Sequence, residues 1–188
     1  MIEPLKSAAP ALALLEIESI ARGVVVLDAL CKKARVELVL SEALTPGKFL
    51  LVFCGDEASV EEAFNEARRI ASEFLLADLF LPQAHPLLVM MLRGHTQALC
   101  LDEALAICEY KHVAAALDAL DRALKAATIE SKKFRFARGI GGKAYFVLGG
   151  TLASIEAAVE AAKTVQAQAH LAHEIIARIS PDVCLEHL

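Results

Sequence analysis

The chain repeats itself, and this duplication limits the possible folds more than any single motif does. Displaced by 93 positions, Ala11-Leu12-Ala13-Leu14-Leu15-Glu16 falls on Ala104-Leu105-Ala106-Ile107-Cys108-Glu109, Leu27-Asp28 on Leu120-Asp121, Lys32 on Lys125 and Glu37 on Glu130. A displacement of 95 then sets Gly47-Lys48 on Gly142-Lys143, Gly55 on Gly150 and Ala58-Ser59 on Ala153-Ser154. Two extra residues therefore enter the second copy near Lys132 to Arg138. Two registers kept over this length mark tandem copies of one unit of about 90 residues, and the ranges 11–92 and 103–188 are taken as its two domains.

Each copy reads by its hydrophobic period. In the first, residues 11–19 form an apolar strand and 21–33 a helix with Val24, Leu27 and Leu30 on one face. Residues 35–42 alternate as a second strand, Ala43 to Gly47 turn through a Pro-Gly pair, and Lys48 to Cys54 is a strand too apolar to expose either face. Asp56 is an N-cap candidate for a helix reaching about Ser72, and residues 74–81 form the fourth strand, closed by Pro82. The second copy places strands at 104–111, 128–136, 143–149 and 170–178, with helices at 113–126 and 152–168. The fold class is α+β. Each half is a split β-α-β-β-α-β, ferredoxin-like unit whose antiparallel sheet carries both helices on one face. The other face needs cover, from the twin half and then from further chains about a common axis.

Composition narrows the function. Hydrophobic residues make up 56% of the 188, so the chain has a core to build. A net charge of −5 with scattered lysines and arginines lacks the footprint of a nucleic-acid binder. Mean hydropathy is +0.49, yet the longest apolar stretches, Phe49 to Cys54 and Leu87 to Leu92, fall far short of the roughly 18–20 residues of a membrane span, so a soluble protein is expected. Glu3, Glu16 and Glu18 interrupt any signal-peptide pattern. The five cysteines (31, 54, 100, 108, 184) are odd in number and form no C-x-x-C, which fits reduced thiols acting as small buried hydrophobes in a cytosolic protein.

The stretch Ala11 to Gly55, with Glu16, Asp28-Ala29-Leu30, Lys32, Ala34-Arg35-Val36-Glu37 and a loop ending in Gly47, resembles the bacterial microcompartment (BMC) shell domain. The whole chain, over about 11–181, is similar to the tandem-domain members that form trimers. Thr45-Pro46-Gly47-Lys48-Phe49-Leu50-Leu51 and Gly139-Ile140-Gly141-Gly142-Lys143 look like the tandem members of propanediol-utilisation compartments. The resemblance implies a noncatalytic structural protein: a homotrimeric, pseudohexagonal tile that packs edge to edge with hexameric and pentameric shell proteins. The resulting shell lies in the cytoplasm and encloses enzymes.

It also implies where function lies. The loop between the second and third strands borders an axial pore, which puts Thr45, Pro46 and Gly47 from copy one and Gly139, Ile140, Gly141 and Gly142 from copy two around the opening. A Gly-rich ring offers backbone N–H donors to polar or anionic solutes, although these glycines also suit plain turn geometry. Gly142-Lys143 is no nucleotide phosphate loop, because Ala144 replaces the needed Ser or Thr and a strand follows. Family tiles meet through a lysine ending the first helix, matched by Lys32 and Lys125, and through an Arg-His element after the last strand. That element is divided here between Gln83 and His85 in copy one and Arg178 and Ser180 in copy two. Solvated lysines capping a helix C-terminus are the plain alternative.

Some tandem relatives hold an iron–sulfur cluster on the pore axis, using one cysteine per chain just before the Pro-Gly of the first loop. Thr45 stands at that position, and a hydroxyl is a poor ligand for cluster iron, so no cofactor is expected. His170, His173 and Glu174 are set aside as a metal site because strand residues three apart point to opposite faces. Glu16 and Glu109 are expected to be structural at the domain interface, since no nucleophile or base accompanies them. The competing functions are a redox shell protein with a pore-bound cluster or metal, and a trimeric small-molecule sensor on the same split fold.

Overall fold

The computed structural model describes residues 10–94, 104–136, 140–165 and 168–180. Each half follows the split order. In the first, β1 (Ala11–Ile17), α1 (Ile20–Lys33), β2 (Glu37–Leu44), β3 (Lys48–Gly55), α2 (Glu57–Ala71) and β4 (Leu75–Leu81) make an antiparallel sheet ordered β2-β3-β1-β4. A short helix, α3 (Pro86–Leu92), follows. In the second half, β5 (Ala104–Tyr110), α4 (Val113–Ala126), β6 (Glu130–Phe136), β7 (Ala144–Gly150), α5 (Leu152–Lys163) and β8 (His170–Ile176) repeat the same order. The chain divides into two compact units between Val89 and Met90.

The central strands show why the core sits where it does. Ala11, Ala13, Leu15 and Ile17 of β1 and Phe49, Leu51 and Phe53 of β3 share one face, and they pack with Val26 and Leu30 of α1 and Val60, Ala63, Phe64, Ala67 and Ala71 of α2. The alternate residues Leu12, Leu14, Leu50, Val52 and Cys54 are buried too, as the unbroken apolar run of β3 requires. Helix starts follow local capping chemistry: Ser19 accepts from the Arg22 N–H at 3.2 Å, Asp56 from the Ser59 N–H at 3.0 Å, and Thr151 from the Ser154 N–H at 3.3 Å. Asp56 and Thr151 are duplicates of one cap, filled by a carboxylate in one half and a hydroxyl in the other.

The sequence reading is corrected at several points. The buried stripe of α1 is Gly23, Val26 and Leu30, and Val24 is exposed. The shift by one position comes from Gly23, where an added Cβ would stand 2.5 Å from the Phe49 ring; the helix lies close on the sheet because no side chain is there. Gly23→Val is therefore expected to cost about 1–3 kcal/mol of overpacking, more than the few tenths gained in helix propensity. An unchanged urea midpoint would contradict this. β2 runs on through Leu44, so the first hairpin turn is tighter than expected. Helix α5 stops at Lys163, where the Thr164 hydroxyl donates to the Ala161 carbonyl at 2.7 Å and the last N–H groups bond three residues back. α3 was read only as an apolar run; Pro86 at its first position was the missed signal.

Candidate functional site

The two hairpin tips are built differently on identical frames. Ala43 pairs with Phe49, and the duplicated positions Phe136 and Ala144 also pair, so residues 44–48 of the first half correspond to 137–143 of the second. The two-residue insertion therefore lies in the hairpin tip itself. Bulges recur as well, at Val39 and Lys132 and again at Leu76 and Leu171.

At the first tip the Gly47 N–H donates to the Leu44 carbonyl at 2.7 Å across a cis Thr45–Pro46 bond, a type VI turn. Thr45, Pro46 and Gly47 are all exposed, and Gly47 at φ +126° has open space where a side chain would sit. At the second tip the Lys143 N–H reaches the Ile140 carbonyl at 3.4 Å, with Gly141 at φ +66° and Gly142 at φ +81°. Two consecutive positive φ values make this a type I′ turn, which is why two glycines stand together. Gly141 is exposed, Ile140 half-buried and Gly142 buried; Gly139 lies outside the described residues.

Below each tip sits an ion pair that sequence reasoning missed. Lys48, the first residue after the first tip, pairs with Glu16 of β1; Lys143, its duplicate, pairs with Glu109 of β5 at 3.0 Å. Each glutamate thus has an ion-pair partner inside its own half. The signal was present, since both members recur under the repeat. The environments differ: the Glu16 and Lys48 side chains are 0% and 8% exposed, whereas Glu109 and Lys143 are 38% and 49% exposed.

Among the candidate edge residues, Lys32 pairs with Asp28 at 2.7 Å on an open helix surface, and Lys125 pairs with Asp121 at 2.5 Å, with Asp121 almost wholly buried. Gln83 and Arg178 are exposed. His85 is half-buried, and its Nδ1 accepts from the Leu87 N–H at 3.4 Å at the start of α3.

The thiols and imidazoles bring two further corrections. Cys54 and Cys108 are buried thiols in strands, in no disulfide, and burial pushes Cys108 up to about 12; Cys31 is exposed on α1, contrary to expectation. Cys100 and Cys184 lie outside the described residues. His170 and His173 do not point apart: the bulge at Leu171 adds a residue to β8 and brings their rings to 5.2 Å. Among the described residues no three His, Cys, Asp or Glu groups converge as a metal site, and no helix is long and apolar enough to cross a membrane.

The BMC domain family model matches residues 11–84 and again 104–179, one match per half. The chain belongs to the bacterial microcompartment shell-protein family. It is 36% identical over 152 residues to the bacterial microcompartment shell protein PduT of Citrobacter freundii, covering 81% of this chain and 82% of that one. A crystal structure of a microcompartment protein from Desulfitobacterium hafniense DCB superposes with a TM-score of 0.83 at 31% identity, covering 92% of this chain and 97% of that one. A fused permuted hexameric shell protein of the RMM microcompartment gives a TM-score of 0.66 at 22% identity, with 88% and 85% covered, a likeness of fold. Two tandem BMC domains and a structural shell role are thereby established.

Proposed function

We propose that three copies of this chain close into a pseudohexagonal tile of a microcompartment shell in the bacterial cytoplasm, with the six hairpin tips alternating around a central pore. Thr45, Pro46 and Gly47 then alternate with Gly139, Ile140, Gly141 and Gly142 at the opening. The observation that carries this reading is the duplicated frame: two hairpins in the same register, each tied to its first strand by a Glu–Lys pair, each closing in a tight turn with Gly47 or Gly141 exposed. Ring closure is supported by a difference between equivalent helices. Val113, Leu117, Leu120 and Leu124 of α4 are buried, while at the same positions of α1 Ile20 and Val24 are 43% and 53% exposed and Cys31 is exposed. That uncovered apolar face is where the next copy docks. Sedimentation equilibrium tests the assembly; a discrete trimer is expected, and a lone monomer at high concentration contradicts it.

The tip chemistry favours a pore for polar or anionic solutes over a redox centre. The Thr45 hydroxyl is a poor ligand for cluster iron, and the cysteines that the structure describes sit on α1, β3 and β5, away from either tip. The purified protein is expected to be colourless, without absorption near about 400 nm from an iron–sulfur chromophore. Stoichiometric iron and sulfide would overturn this. Tiles join through Lys32 and Lys125, with Gln83, His85 and Arg178 nearby, alongside other shell proteins and around enclosed enzymes. A small-molecule sensor on the same fold would instead stay a discrete trimer and gain thermal stability with its ligand.

A further inference from the structure

The two halves diverge sharply where the last strand meets the second helix. In the first half the Arg68 guanidinium of α2 forms an ion pair with the Asp78 carboxylate of β4, Nε to Oδ2 2.5 Å, and Leu75 packs against the core. The second half replaces all three: His170 stands for Leu75, His173 for Asp78 and Lys163 for Arg68. The bulge at Leu171 carries both imidazoles to the α5 side of the sheet. An attractive pair has become a meeting of three groups that are neutral or positive, never negative.

The surroundings of His170 oppose its protonation. Tyr110 of β5 meets its ring edge at 5.4 Å and spends its own hydroxyl on the Ala162 carbonyl at 3.1 Å. Burial raises the Tyr110 pKa well above its ordinary value, aided by Cys108 of β5 and Asp118 of α4, so the Tyr110 hydroxyl itself carries no charge at neutral pH. On α5 the Glu160 carboxylate pairs with Lys163 at 2.8 Å and is held below its ordinary range by Lys163 first and by His173 as well, so this one negative group faces His173 and not His170. The Nε2 atom of His170 is buried with no hydrogen-bond partner among the described residues. Burial first, then His173, then Lys163 hold the His170 pKa below its ordinary 6.5.

We propose that the β8–α5 seam of the second half is a proton-sensitive contact, closed while His170 is neutral and loosened when it gains charge, with the Arg68–Asp78 pair keeping the first half insensitive. Folding disfavours the protonated form of His170, so the unfolded chain binds more protons. The stability this group contributes is fully present above 6.5 and is lost as the pH falls from there toward the lowered folded midpoint. Because β8 runs on into Arg178, loosening would reach an edge element of the tile, a consequence that rests on the tile reading while the seam does not.

Amide hydrogen exchange on the full chain, dispersed rather than in sheets, at about pH 7.5 and about pH 5.5 tests the seam across the histidine range. After correction for intrinsic rates, β8 and α5 are expected to lose protection several-fold on acidification while β4 and α2 do not. His173→Asp restores the carboxylate of the first half, and is expected to remove the response of β8 and to raise the His170 midpoint followed by NMR. His170→Leu, restoring the other residue of the first half, is expected to remove the response as well. Equal responses in both halves, or a β8 response that survives both substitutions, would overturn the proposal. Sheet assembly is not read in this experiment, so its failure and that of the tile are distinguishable.

Discussion

Lys48→Met is expected to lower the free energy of unfolding by about 3–5 kcal/mol, whereas Lys143→Met, at the duplicated position, is expected to lower it by no more than about 1 kcal/mol. The chemistry removed is the same in both. What differs is the medium, since the Glu16 carboxylate is fully buried and loses the cation that faces it, while the Glu109 carboxylate at 38% exposure turns to water. Urea unfolding of the two single variants reads this directly. Replacing both partners, as Glu16→Leu with Lys48→Met, is expected to recover most of the loss, because two apolar side chains leave no buried charge behind. Equal and small effects at both positions would show that the first pair does not hold the base of its hairpin.

Lys32→Glu is expected to stop sheet growth while leaving the oligomer intact. Inside the chain the change only sets a second carboxylate beside Asp28 on an exposed helix face, a local cost of about 0.2–0.5 kcal/mol. Between tiles it places a negative charge where the proposed edge brings two copies of this helix end together, antiparallel. Lys125→Glu is not an equivalent experiment, despite the matched position. Lys125 faces Asp121, whose side chain is 4% exposed, so reversal there puts two carboxylates together at a buried site and weakens the fold itself. Size exclusion should show an unaltered oligomer for Lys32→Glu, and negative-stain electron microscopy should show no sheets. Unaltered sheets would remove Lys32 from the edge.

The fold was legible because duplication doubles every signal. A strand pattern seen once is ambiguous; the same pattern 93 or 95 residues later, with Gly55 and Gly150 closing equivalent strands, is not. Features that depend on one residue's surroundings were harder to see. Gly23 carries no hydrophobicity, so the period of α1 pointed to Val24, one position away from the buried stripe. The bulge at Leu171 leaves no mark in the sequence, and without it His170 and His173 do point apart. The Glu–Lys pairs recur under the repeat, but pairing across strands 32 and 34 residues apart needs the sheet register to be seen. The tips were found because Pro-Gly and Gly-Gly turns announce themselves, and the insertion was placed within a few residues of the tip it occupies.

A cryo-EM map of the assembled sheet at side-chain detail tests the central claim most directly. The account predicts a threefold axis through each tile, with Thr45 and Ile140 alternating around it and α1 of one copy covered by the next. Tips found at the tile periphery, or chains arranged without a threefold axis, would contradict it.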